Sequence, residues 1–436
     1  MPRFKLETEF NEIKTGVPSI LSSNCHYMFT QGVYGKIPKD WQMKTIDEDY
    51  NVRTGERISP AGEGPFPVYG ASGFSGYSKE FIADGEAVIT GRVGSLGKIF
   101  YSYNKANISD NALYFTKKND GAVLRFLYYA LKVVFKNIDE VLNVGTSQPL
   151  VKQSEVKRFS IPFPDYTEQH RIVDLLSIFD DLIEKKKKQN ESLEKTAIAI
   201  FKSWFVDFEP FVEGEFEDRQ RGEMPKGWKI VPIGELAETR NGMSYKGKEK
   251  FKESTGYVFI TLNNMIEGGG FKSEFAWIKS NRIKADHFLN EGDLVIANTH
   301  FGVGGSETGR LLGTPALVSF PYYYREEKGV YSHHITKIDP KDNKMKYFLY
   351  IFLRINKEET ATFQTGTTVL SLDVSNFKRN KLVPLPDQPV LERFDSLVGP
   401  LFQKIMVNRK QIMVLQGIRD AILPLLVLGK LRVEEG

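Results

Sequence analysis

The chain has 436 residues, 41% hydrophobic and 12% aromatic, which excludes a disordered chain and exceeds one ordinary core. Its one cysteine, Cys25, excludes a disulfide framework or thiolate cluster, and with no apolar signal core or bilayer-length apolar run a soluble cytoplasmic protein is predicted. The net charge of +4 is uneven: residues 206–223 hold seven acidic residues against two arginines, leaving +9 on the remainder, a surface that attracts polyanions.

Residues 1–36, with Cys25 and His26, have no later counterpart and form an N-terminal extension. A first mixed α/β domain is expected over 37–165. It has β-branched or aromatic runs at 87–90, 98–103 and 112–116, a helix at 122–134 and the loop Gly145-Thr146-Ser147. A long helix follows over 166–205, with Thr167 as its expected N-cap. Its apolar seam is Ile172, Leu176, Phe179, Ile183, Leu193, Ala197, Ile200 and Trp204, with Lys186 and Asn190 at the two positions between. The acidic stretch 206–223 reads as a linker. A second domain over 224–387 has runs at 257–262, 293–297 and 316–320, a helix at 345–354 and the loop Gly366-Thr367-Thr368. The second long helix, 388–428, carries Phe394, Val398, Leu401, Ile405, Asn408, Ile412, Leu415, Arg419, Ile422 and Leu426 on its seam. Gly399-Pro400 is expected to kink or break it, and a tail occupies 429–436.

The order is one unit written twice. Pro38-Lys39-Asp40-Trp41 returns as Pro225-Lys226-Gly227-Trp228 at an offset of 187, and Asp84-Gly85-Glu86 as Glu291-Gly292-Asp293 at 207. Gly145-Thr146-Ser147 returns as Gly366-Thr367-Thr368 at 221, and Ile161-Pro162-Phe163-Pro164-Asp165 as Val383-Pro384-Leu385-Pro386-Asp387 at 222. The offset only grows, so the second copy gains 35 residues, all in its globular part. The seams align at 222 without a gap. Each apolar stripe needs a partner, and the other copy supplies one. The expected fold is α+β, with a globular domain at either end of a pair of long antiparallel coiled-coil helices and a pseudo-two-fold internal repeat. The first helix would be about 57 Å long at 1.5 Å per residue. Lys186 and Asn408 would meet near the pseudo-axis as a polar layer fixing register, unless Lys186 simply reaches to water.

No catalytic motif emerges. Gly91-Arg92-Val93-Gly94-Ser95-Leu96-Gly97-Lys98 lacks the first glycine of a phosphate loop, and Ile99 stands where its metal-binding hydroxyl belongs. The tetrapeptide of amino-methyltransferases is absent, and His333-His334 would point to opposite faces of a strand rather than share a metal. What remains are Gly/Ser/Asn loops bearing aromatic and basic side chains, able to approach phosphates and read base edges. In the first domain these give Tyr69, Ser72, Phe74, Tyr77, Lys79, Arg92, Ser95, Lys98, Thr146, Ser147 and Gln148 as DNA-binding candidates. In the second they give Asn241, Lys246, Lys248, Asn263, Asn264, Asn298, His300, Thr367 and Thr368. For each one an ordinary turn or solvated surface is the alternative.

The chain resembles the specificity (S) subunits of type I restriction–modification enzymes over nearly all of 37–433. The resemblance is carried by Gly35-Lys36-Ile37-Pro38-Lys39-Asp40-Trp41, Tyr69-Gly70-Ala71-Ser72-Gly73, Gly91 to Lys98, Glu168-Gln169-His170-Arg171-Ile172-Val173, Phe201 to Pro210, and Leu428-Gly429-Lys430-Leu431-Arg432-Val433. It implies two target recognition domains, each reading one half of a bipartite double-stranded DNA target, with helix length setting the spacer. It also implies two methyltransferase (M) subunits, holding S-adenosylmethionine and methylating adenine N6. Two motor/nuclease (R) subunits using ATP and Mg would complete the complex. The S subunit itself would carry no catalytic residue, cofactor or metal and meet no membrane. The second helix departs from the first, reading Val390-Leu391-Glu392-Arg393 where the first has Glu168-Gln169-His170-Arg171. The alternatives are a self-contained methyltransferase or nuclease with unfamiliar motifs, and a coiled-coil protein scaffold.

Overall fold

The computed structural model describes residues 3–6, 37–57, 62–93, 97–136, 150–219, 222–267, 269–300, 311–366 and 370–434. The chain divides into two units, Met1–Asp181 with Gln416–Gly436, and Leu182–Leu415.

The first unit is built on a four-stranded antiparallel sheet of β1 (Tyr50–Thr54), β2 (Ala87–Gly91), β3 (Ile99–Ser102) and β4 (Ala112–Lys117), in the order β1-β4-β2-β3. The two central strands are apolar on both faces, because both faces are covered. Val88, Leu113 and Phe115 pack toward helix α1 (Leu124–Val134) in one core, while Ala87, Ile89, Ala112 and Tyr114 enter another with Ala106 and Ile108. Alternation along each strand sends neighbours to opposite cores. Burying each large side chain contributes about 1.5–3 kcal/mol.

The second unit repeats this plan. Strands β5 (Ala237–Asn241), β6 (Leu294–Ala297), β7 (Pro315–Leu317) and β8 (Ile335–Pro340) form an antiparallel sheet in the order β5-β8-β6-β7. Leu294, Ile296 and Ile338 face helix α2 (Met345–Ile355), and Val295, Ala297 and Ile335 face a second core. In each unit a short strand pair closes the domain, Gln42–Thr45 with Ser160–Phe163 and Lys229–Pro232 with Leu382–Leu385. The mixed α/β character and its duplication are as the sequence implies.

The long helices are Tyr166–Phe205 and Gln388–Val427, each of 40 residues. Thr167 lies inside the first of them. The cap is Asp165, whose carboxylate accepts from the Glu168 backbone N–H at 2.8 Å. Gly399-Pro400 does not break the second helix. Proline removes one backbone donor, and burial of Val398 and Phe402 beside it offsets that cost of about 3 kcal/mol.

Within the first unit, Leu176 and Ile172 share a core with Leu423 and Leu426, and the Arg419 guanidinium donates to Asp180 at 2.6 Å. Within the second, Lys186 donates to Gln411 at 2.6 Å, Asn408 to Asn190 at 2.8 Å, and Phe201 meets Phe394 edge-on. Partner numbers fall as residue numbers rise, so these segments run antiparallel. Ile183, Ile405 and Ile412 are buried; Phe179, Leu193, Ile200, Leu401, Leu415 and Ile422 are half-buried. The expected Lys186–Asn408 layer does not form. Asn408, fully buried, sits one helical turn away and meets Asn190 and Gln189 instead.

The acidic stretch is more than a linker. Phe216–Arg219 pairs with Gly222–Pro225 as a hairpin, and Phe208, Phe211 and Met224 pack against the second unit's core around Trp228.

Candidate nucleic-acid interface

In the first unit the Tyr69 to Lys79 segment is a hairpin, Phe66–Gly70 with Gly73–Ser78, bulged at Val68/Tyr69. Gly73 takes φ of +113°, and a Cβ there would strike the Phe100 ring at 2.8 Å, so this turn requires glycine. The hairpin presents Phe74 and Tyr77, 55% and 50% exposed and 5.2 Å apart, with Tyr69 edge-on to Phe74 beneath them. Ser72 and Lys79 are exposed on the same segment. Large aromatics held outward beside a lysine suit stacking against bases or sugars next to a phosphate.

Strands β2 and β3 pair as neighbours, so the Gly91 to Lys98 segment joins two strands. A phosphate loop joins a strand to a helix. Arg92 is half-buried, its backbone tied to Asn111 and Val151 and its Nη1 3.5 Å from the Asp110 carbonyl, while Lys98 is exposed. Ser95, Thr146, Ser147 and Gln148 lie outside the described residues.

In the second unit Asn241, Lys246, Lys248 and Asn263 are exposed. The lysine loop is braced by Glu249, which accepts from the Lys246 backbone N–H, Ser280 and Arg282; these bonds, Arg282 foremost, hold its carboxyl down at about 2. Asn264 and Asn298 do not belong to this surface. Asn264 is buried, donating to the Lys272 and Glu274 carbonyls and accepting from the Thr261 N–H. Asn298 is likewise buried with both ends of its amide engaged. A buried amide satisfied inside the domain has nothing left to offer a base. Backbone pairing of Thr299–His300 with Leu370–Ser371 brings Leu370 and Ser371 beside this region. Thr367 and Thr368 lie outside the described residues, as does the side chain of His300.

His333 and His334 occupy a turn, not a strand, and their rings lie 3.8 Å apart. Burial, then the His333 charge, hold His334 below its ordinary value, favouring the neutral ring. Among the described residues no group of three or more His, Cys, Asp or Glu could hold a metal.

The Glu168-Gln169 motif faces inward. Glu168 accepts from the Trp41 indole at 2.9 Å and from Arg432, which also clasps Asp40; Gln169 ties the helix start to Gly121, Val123 and Pro164. The second helix anchors differently. Glu392 binds Lys344, Gln388 binds Asp342, and Arg393 lies over the Trp204 ring. The missing Glu-Gln pair there reflects a different anchor to the domain. Sequence reasoning missed Arg432 and Trp41 as members of this clasp, although both stand in the segments that carried the resemblance.

Residues 38–195 and 225–390 each match the type I restriction modification DNA specificity domain, one match per repeat. The chain belongs to the specificity-subunit family of type I restriction–modification systems. It is 33% identical to the type I restriction enzyme MjaIX specificity subunit of Methanocaldococcus jannaschii, covering 100% of this chain and 99% of that protein. The MjaVIII specificity subunit of the same organism is 24% identical over 92% of this chain and 95% of its own. In fold, this specificity subunit is similar to the crystal structure of the type I restriction–modification S subunit from M. genitalium. The TM-score is 0.53, with 19% identity over 90% of this chain and 97% of that one. No helix among the described residues is long and apolar enough to cross a membrane.

Proposed function

We propose that this specificity subunit reads a bipartite duplex target, one half-site per globular domain, without turnover of its own. The two long helices would pair antiparallel along their length, hold the domains apart and set the unspecified spacer. They would also dock two methyltransferase subunits, which bind S-adenosylmethionine and methylate adenine N6. Two motor/nuclease subunits using ATP and Mg would join them in the cytoplasm. One observation carries this reading: both domains keep one sheet order and one helix position, while the loops at the strand ends differ in length and chemistry. A shared scaffold under unlike loops suits two recognition surfaces for two sequences. Antiparallel contacts of the helices in each unit support the ruler.

Titration of the purified chain with duplex DNA at increasing salt tests the function. Affinity should fall with a log–log slope of about −0.9 per phosphate neutralised and require both half-sites. The chain alone should neither consume S-adenosylmethionine nor cut DNA with Mg. Salt-independent binding, or turnover by the chain alone, contradicts the reading.

A further inference from the structure

A directed hydrogen-bond chain in the second unit ends on an exposed side chain. Asn298 donates to the His333 carbonyl at 2.9 Å, and a carbonyl can only accept. That fixes the Asn298 amide: its second donor goes to the Thr336 hydroxyl at 2.9 Å, and its oxygen accepts from Thr299 at 2.8 Å. Thr336, which accepts from Asn298, gives its own proton to Asn241 Oδ1 at 2.6 Å; with the Asn241 amide turned over, that proton would lose this acceptor. Thr299, already donating, must accept from His334 Nδ1–H at 3.2 Å. One backbone carbonyl therefore orients Asn298, Thr299 and His334, and the remaining Thr336 proton holds Asn241 by its oxygen. At its end Asn241 holds its oxygen inward and turns its NH2 outward, and among the described residues nothing else engages those two donors.

The place is shared by both domains and the chemistry is not. The Asn298 backbone N–H bonds to the His334 carbonyl at 3.0 Å just beyond β6, as the Arg92 N–H bonds to the Asn111 carbonyl at 3.0 Å beyond β2. The first domain fills this position with a guanidinium, the second with a neutral relay ending on an amide. A repeated backbone position with unlike polar groups is where two half-sites would be told apart.

We propose that Asn241 is a base-reading residue of the second domain, presenting a fixed N–H donor to a hydrogen-bond acceptor on a base edge. Thr336, Asn298, Thr299 and His334 are positioning residues that keep the amide from turning over. The inference rests on the DNA-reading function proposed above. An untethered asparagine can flip and offer either donor or acceptor; this one would take the acceptor from the Thr336 proton by flipping, so it discriminates.

The test uses the complex assembled with its methyltransferase subunits. The duplexes carry one acceptor altered at a time in the target: 7-deazapurines remove N7, and 6-thioguanine and 4-thiothymine weaken the carbonyls. Wild type should lose about tenfold in affinity at one position of the second domain's half-site, the size of one good hydrogen bond. Asn241→Ala should lose as much on natural DNA and nothing further at that position. Asn241→Asp keeps the Thr336 bond but offers an acceptor outward, and should lose at least tenfold while mismatches in the first half-site keep their full effect. Thr336→Val should shrink the ratio between natural and altered duplex more than the affinity for natural DNA. An Asn241→Ala complex showing the wild-type analogue penalty at every position overturns this inference alone. A wild-type complex without sequence preference overturns the DNA-reading function instead.

Discussion

Asn408 is fully buried and keeps its amide donors on Gln189 and Asn190, both on the other long helix within the second unit. Its own oxygen has no hydrogen-bond partner among the described residues, so this polar contact is a poor source of stability and a good source of register. Asn190→Leu should cost about 1–2 kcal/mol, because it strands an Asn408 donor in the seam. Asn190→Leu/Asn408→Leu should recover that loss and exceed wild type, since removing both partners leaves an apolar seam. Urea unfolding midpoints check both; a double variant less stable than the single contradicts the account. Sequence reasoning found the polar seam positions but joined the wrong pair, Lys186 with Asn408, since side-chain reach decides which rung meets which. Asn264 and Asn298 were misplaced for a related reason. An asparagine in a polar loop reads the same whether its amide faces water or caps the loop from within.

At the scale of elements, the long helices were the most legible feature, since ten seam positions at steps of four and three leave no other period to satisfy. Strands β2, β4 and β6 were legible as short β-branched runs bounded by turns. The 216–225 hairpin was not, because acidic residues with neither apolar alternation nor a hairpin turn dipeptide resemble a linker. If the helices set the spacer, removing residues 185–191 and 407–413 together deletes the facing polar rungs and one heptad from each. The pair shortens by about 10 Å, or roughly three base pairs at 3.4 Å each, so the methylated target should keep both half-sites and lose about three spacer positions. An unchanged spacer contradicts the ruler.

Over the whole molecule, the repeat carried more information than any single motif. The helical copies align without a gap because each seam position faces a partner, whereas the globular copies drift apart by 35 residues. The drift spares the sheets, whose strand order is the same in both domains, and falls on what joins them. Loop conformation was not legible: it depends on packing beneath the loop, as the Asn298 relay under Asn241 shows. The most direct measurement is the methylated target of a complex in which residues 37–165 are replaced by the corresponding domain of another such subunit. One new half-site is expected, with the second half-site and the spacer unchanged. A target altered in both halves, or in neither, would contradict it.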